Sequence, residues 1–149
     1  MTNPQVLQTA INGASNKRFK MPKWGLVTEF TFNSAHYIKD YDGLCGRMHG
    51  HNYKVRIEAT SSKLNSSEHC PHPVMVVDFK TLRWAKQDVT KGGLDHCVLN
   101  EVMPSEYETT GDMIAKYIYD VTKKRVPSDL QLKVAMSETP NSWVEYEDD

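Results

Sequence analysis

The chain has 149 residues, enough for one domain with a real hydrophobic core, and its 18 Lys and Arg against 19 Asp and Glu leave a net charge of −1. That balance excludes capture of nucleic acid or an anionic membrane by bulk electrostatics. No apolar run approaches the ~20 residues of a membrane span. The first 23 residues are polar and end in Lys17, Arg18, Lys20 and Lys23. They lack the apolar stretch of a signal peptide, so they are expected to form an arm, with a short helical piece around Gln5–Ile11, on a cytoplasmic protein. Cys45, Cys70 and Cys97 are an odd and sparse set, which fits reduced thiols and not a disulfide framework.

From Gly25 to His36 the sequence alternates, with Val27, Glu29, Thr31 and Asn33 on one side and Thr28, Phe30, Phe32 and Ser34 on the other. Its β-branched and aromatic residues predict a strand. Ile38–Met48 reads as a loop punctuated by Asp42-Gly43 and Gly46. His49–Ala59 reads as a second strand, with Tyr53, Val55, Ile57 and Ala59 on the face of His49 and His51. Residues 65–73 are a turn or hairpin tip, and Val74–Phe79 predicts a short third strand. Lys80–Lys91 fits a helix with Leu82, Ala85 and Val89 on one stripe and Gly92-Gly93 as its stop. The brief segment Leu94-Asp95-His96 then leads into Cys97-Val98-Leu99. Thr110 can cap a second helix, with Asp112 in the first turn and Met113, Ile114, Tyr117, Ile118 and Val121 as its apolar stripe. Leu130–Glu138 and Trp143–Tyr146 close the chain as strands. The order ββ-β-α-α-ββ predicts an α+β domain, a mostly antiparallel sheet with helices on one face.

The chemistry concentrates in Cys45-Gly46-Arg47-Met48-His49-Gly50-His51. If His49 and His51 open a strand, the two-residue period puts both imidazoles on one face. His36 ends the preceding strand, and antiparallel pairing would bring it beside them. Three nitrogen ligands with a position left open suit a zinc ion used as a Lewis acid. The alternative is three unrelated histidines, one in the core and two in a loop. Cys45 beside a metal would have a lowered thiol pKa and could serve as a base; otherwise it is a small buried apolar residue. Asp95 and His96 could form a proton relay, although neighbours on a strand point to opposite faces. His69-Cys70-Pro71-His72 is a competing donor cluster, but at a hairpin tip its ligands would be poorly fixed, and it reads as a solvated loop. Glu138 is either an exposed strand-end charge or a carboxylate that binds the paired N–H donors of a guanidine-like heterocycle.

Six blocks run in order from residue 30 to 139: FTFNSAH, LCGRMHGHNYKV, VMVVDFKTL, LDHCVLN, TGDMIAKYI and VAMSET. Together they resemble the 6-pyruvoyl-tetrahydropterin synthase and 6-carboxy-tetrahydropterin synthase family. The C-x-x-x-H-G-H spacing from Cys45 to His51, with Val-Val-Asp-Phe at 76–79, looks like the bacterial carboxy-forming branch.

The resemblance implies a tunnelling fold over residues 24–149, behind the arm at 1–23. In that fold an antiparallel four-stranded sheet carries two helices on one face, and subunits join edge to edge into a barrel, commonly a hexamer. It implies Zn2+ held by His36, His49 and His51, and a catalytic thiol at Cys45 assisted by Asp95 and His96. It also implies that Glu138 anchors the pterin ring. Where the family reads Pro-Thr-x-Glu-Asn, this chain has Thr109-Thr110-Gly111-Asp112-Met113, which keeps Thr110 as an expected substrate contact. Arg47 is either a triphosphate contact or a solvated loop cation. The implied reaction converts 7,8-dihydroneopterin triphosphate to 6-carboxy-5,6,7,8-tetrahydropterin, acetaldehyde and triphosphate, within 7-deazaguanine synthesis. A pyruvoyl synthase is the nearest alternative and a non-catalytic zinc module the one from another class. Neither nucleic acid nor membrane is an expected partner.

Overall fold

The computed structural model describes residues 23–64, 70 and 72–148. The N-terminal arm, its helical piece at Gln5–Ile11 and most of the 65–73 turn lie outside the described residues. Strands β1 (Trp24–His36) and β2 (His49–Ser61) pair antiparallel along their whole length, from Trp24 opposite Ser61 to His36 opposite His49. Strand β4 (Gln131–Thr139) lies antiparallel to β2, and β5 (Ser142–Glu147) antiparallel to β4. A two-residue strand β3 (Cys97–Val98) pairs parallel to the end of β1, giving the order β3-β1-β2-β4-β5. Among the described residues the sheet therefore has five strands where four antiparallel ones were expected, the fifth being too short to carry any periodic signal.

Val74–Phe79 is not a strand. Val76 and Val77 are buried, but the segment pairs with no strand among the described residues. The Asp78 carboxylate accepts the Lys80 N–H at 2.8 Å and caps helix α1 (Phe79–Val89). The capping residue decides the local structure here and overrides the β-branched composition. Helix α1 runs into a π-type turn, Thr90–Leu94, where Gly93 takes φ 126°, a conformation glycine adopts without penalty. A single-turn helix α2 (Leu99–Val102) follows β3.

Helix α3 (Gly111–Lys123) is capped by Thr110, whose hydroxyl accepts the Met113 N–H at 3.4 Å. Its buried face is Ile114, Ala115, Ile118, Tyr119 and Thr122; Met113, Tyr117 and Val121 flank that face half-buried.

One face of the sheet packs Phe30, Phe32, Tyr53, Val55, Ile57, Leu132, Val134 and Met136 into a common core with Leu82, Ala85, Val89, Ile114 and Ile118 of α1 and α3. The other face carries exposed charges, among them Glu29 and Lys54 at 3.4 Å, pairs worth little in solvent. Toward one end of the core face the apolar pattern changes. On β1 it runs Phe30, Phe32, Ser34, His36; on β2, read backwards, it runs Val55, Tyr53, His51, His49. The strand register thus delivers the histidines to one place.

Candidate metal centre

Direct pairing of His36 with His49, and of Ser34 with His51, stacks three imidazoles at the end of the core face. Ring centroids lie 4.5 Å apart for His36 and His49, 5.2 Å for His36 and His51, and 4.9 Å for His49 and His51. One nitrogen of each lies within 4.8 Å of the others. Among the described residues no further group of three such donors comes together.

The rings are oriented by backbone carbonyls. His36 Nδ1 is 2.7 Å from the Thr109 oxygen, and His49 Nδ1 is 2.7 Å from the Arg47 oxygen. A nitrogen facing a carbonyl must carry the proton, which leaves Nε2 of each ring with a free lone pair. His36 is 2% exposed, and its Nε2 is buried without a hydrogen-bond partner among the described residues. Metal-bound histidines show this arrangement, one nitrogen held by the protein and the other presented to the ion. Three neutral imidazoles fit a zinc-type ion with an open position.

Electrostatics supports the neutral form. Burial pushes the His36 pKa below its ordinary value, and the neighbouring His49 and His51 add to the lowering. The Thr109 carbonyl and the Glu138 carboxylate oppose it without cancelling it. Glu138 Oε1 is 3.8 Å from His36 Nε2, but beside a neutral imidazole this is proximity and not an ion pair. Oε1 is itself buried and accepts no hydrogen bond from the described residues. Glu138 sits on a β-bulge: Ser137 pairs with Trp143 and Thr139 with Ser142, so Glu138 is the extra residue. Bulges of this kind re-aim a side chain, here toward the histidines. A Cβ on Gly111, the first residue of α3, would lie 3.7 Å from Glu138 Oε1, so that helix end closes over the carboxylate.

Asp95 and His96 do meet, contrary to the strand-based expectation. His96 takes φ 59°, which turns its ring back so that Nδ1 lies 2.9 Å from Asp95 Oδ1. The same Oδ1 accepts the Asn33 N–H at 3.0 Å, and the His96 N–H donates to the Asn33 carbonyl at 2.7 Å. His96 is 76% exposed and shares an open depression with Ser34, Gly50, His51 and Cys97. His96 therefore shares this depression with His51 of the cluster, on the β3 side.

Cys45 is exposed, on a one-turn 3-10 helix (Leu44–Gly46), and its carbonyl accepts the Ile38 N–H at 2.8 Å. It is not part of the donor cluster. Gly46 is required in this turn, because a Cβ there would lie 2.2 Å from the Tyr41 carbonyl oxygen. The hydroxyl of Thr110 is engaged in capping α3, and Arg47 is exposed. At the tip, Cys70 Sγ lies 3.2 Å from the carbonyls of His72 and Met75; His69 and Pro71 are outside the described residues. Sequence reasoning missed Asn100 and Thr109, which hold the backbone behind His36. Asn100 closes the LDHCVLN block, but nothing in its spacing marks it as a partner of Tyr37.

Residues 25–149 match the family described as 6-pyruvoyl tetrahydropterin synthase. The chain belongs to this family. A relative from Synechocystis, named 6-carboxy-5,6,7,8-tetrahydropterin synthase, is 32% identical over 96 residues, covering 64% of this chain and 72% of the relative. One of the same name from Haemophilus influenzae is 27% identical over 142 residues, covering 80% and 96%. The human 6-pyruvoyl tetrahydrobiopterin synthase is 31% identical over 100 residues, covering 66% and 65%. The structure of Caenorhabditis elegans 6-pyruvoyl tetrahydropterin synthase superposes with a TM-score of 0.70 at 25% identity, covering 88% of this chain and 99% of that one. The α+β architecture is therefore the tunnelling fold of a pterin synthase family. No helix among the described residues is long and apolar enough to cross a membrane.

Proposed function

We propose that this family member is a zinc-dependent 6-carboxy-5,6,7,8-tetrahydropterin synthase of the cytoplasm. It converts 7,8-dihydroneopterin triphosphate and water to 6-carboxytetrahydropterin, acetaldehyde and triphosphate, a step toward 7-deazaguanine bases. The observation that carries this reading is the convergence of His36, His49 and His51 at the end of the core face, with Glu138 aimed at them from a bulge. The three residues between Cys45 and His49, and the names of the Synechocystis and Haemophilus relatives, favour the carboxy-forming branch.

In this reading His36, His49 and His51 hold the ion through their free nitrogens. When bound, zinc supplies Lewis acidity toward the side-chain hydroxyls of the substrate. Glu138 accepts the paired N–H donors of the pterin ring through two parallel hydrogen bonds. Thr110 contributes by holding the end of α3 over that carboxylate. Asp95 fixes the proton on His96 Nδ1, which leaves Nε2 free to take up and return a proton. Cys45 exchanges protons with the substrate from the opposite loop. The catalytic domain is residues 24–149, with residues 1–23 as an arm. Outside its short pairing with β3, β1 has an open edge, and β5 has another; subunits join along these edges into a barrel, as a hexamer.

The similarity to the human and nematode proteins favours a second reading, a pyruvoyl synthase that retains the side-chain carbons. Incubating zinc-loaded protein with dihydroneopterin triphosphate and identifying the products by mass spectrometry separates the two. A 6-carboxy product with acetaldehyde is expected. A 6-pyruvoyl product would replace the first reading by the second, and absence of turnover with zinc bound would leave a non-catalytic zinc module.

A further inference from the structure

Asn100 has no part in the chemistry above, yet its amide is fully engaged. Its Oδ1 accepts the Tyr37 N–H at 3.0 Å. Its Nδ2 donates to the Tyr37 carbonyl and to Thr109 Oγ1, each at 2.8 Å. Thr109 Oγ1 donates in turn to the Tyr37 carbonyl at 2.7 Å. The amide thus acts as a one-residue strand partner for the position just past β1. Its orientation is determined, because exchanging oxygen and nitrogen would set donor against donor at the Tyr37 N–H and acceptor against acceptor at the carbonyl.

Both residues held by this amide bear directly on His36. Tyr37 is its neighbour in the chain, and Thr109, itself buried, supplies the carbonyl that holds His36 Nδ1 at 2.7 Å. Asn100 therefore fixes the backbone and the ring of His36 relative to each other, from a segment more than 60 positions away. We infer that Asn100 is a positioning residue for the metal centre: through Thr109 it keeps the His36 ring in its Nδ1–H form with Nε2 toward the ion, and so sets metal affinity. The inference rests on the metal reading given above. If the clamp is lost, the Thr109 carbonyl is free to drift, and the imidazole can exchange its tautomer or turn. Second-layer partners of metal-bound histidines act in this way.

A merely structural role for Asn100 would lower stability and leave the ring and the ion unaffected, which makes the two roles separable. The test compares Asn100→Ala, Thr109→Val and Thr109→Ser with wild type. Thr109→Val removes the hydroxyl at nearly constant shape, whereas Thr109→Ser restores it. Zinc affinity is read by competition with a chromophoric chelator, and the His36 tautomer in the metal-free protein by long-range 15N correlation NMR. Asn100→Ala and Thr109→Val are expected to weaken zinc by ~10-fold or more, with His36 passing from the Nδ1–H form to a mixture. Thr109→Ser is expected to stay near wild type in both readings. A folded Asn100→Ala protein with wild-type affinity and tautomer would overturn the inference. If that variant does not fold, equal affinities for Thr109→Val and Thr109→Ser would overturn it instead. A wild-type protein that binds no zinc would overturn the metal reading itself, and the tautomer comparison would then decide alone whether Asn100 positions the ring.

Discussion

Replacing Tyr53 by Phe removes a single oxygen from the wall of the site. Tyr53 is 0% exposed, stacked on Phe32 with ring centroids 4.7 Å apart, and it lies edge-on to His51 at 5.6 Å and His36 at 6.0 Å. Its hydroxyl is buried without a hydrogen-bond partner among the described residues, and burial pushes the phenol pKa upward, so the group stays neutral. A buried, unpaired polar group costs ~1–3 kcal/mol. Tyr53→Phe relieves that cost and keeps every ring contact. The void left is ~10 Å3, which at ~24 cal/mol per Å3 subtracts only ~0.2 kcal/mol. The variant should therefore be more stable by ~1 kcal/mol or more, with a Tm rise of ~2–4 °C per kcal/mol for a domain of this size. Urea unfolding of the metal-free protein, followed by circular dichroism, measures the change; an unaltered m-value would show that the denatured state is unchanged. A Phe variant less stable than wild type would refute the reasoning, because it would mean the hydroxyl is paired, for instance to a buried water. Stabilisation would identify Tyr53 as a polar group retained at a cost to stability, as functional sites commonly require.

Cys45→Ala is expected to leave bound zinc unchanged, because Cys45 lies outside the donor cluster, and to abolish turnover; elemental analysis beside a product assay checks both halves. Gly46→Ala places a Cβ 2.2 Å from the Tyr41 carbonyl oxygen, so the turn carrying Cys45 must shift. A stability loss of ~1–3 kcal/mol is expected, with turnover reduced and zinc retained, and wild-type turnover would refute the fit. The metal-free protein should lose stability on acidification. The folded-state pKa of His36 lies below its ordinary 6.5, so the unfolded chain binds the extra proton first. The contribution is present above the ordinary value and declines as pH falls through it toward the lowered folded-state pKa. Urea midpoints taken across that range check the slope, and a flat profile would contradict it.

The two long strands were legible because their burial alternates with period two and no other residue pattern competes. Their antiparallel pairing then fixed which histidines meet, since a shift by one residue would turn His49 and His51 to the solvent face. The rest was hidden for physical reasons. Val74–Phe79 has the composition of a strand, but Asp78 caps a helix, and a single capping residue is a weaker mark in sequence than the apolar run Val74–Val77. The contact between Asp95 and His96 depends on φ 59° at His96, a backbone state that residue identity does not announce. The bulge at Glu138 arises from the register of β4 against β5, which two separately predicted strands cannot specify. Asn100 pairs its side chain with a distant backbone, an interaction without periodicity.

The way the rings are held also bears on the chemistry. His36 and His49 are oriented by backbone carbonyls, which neither titrate nor carry a full charge. Carboxylate partners would make the imidazoles more basic and would offset part of a bound cation's charge. Carbonyl partners add no negative charge behind these two rings, so a divalent ion held by the cluster would keep nearly all of its charge for whatever occupies the open position. The carboxylate that faces the same space is Glu138, whose Oε1 lies 3.8 Å from His36 Nε2 with no hydrogen-bond partner among the described residues. In the proposed reading, a cationic position and an anionic one, separated by a single imidazole, would select a ligand that presents oxygens at one end and paired N–H donors at the other. A pterin with a hydroxylated side chain has that polarity, and a simple carboxylate or a purine without the side chain does not.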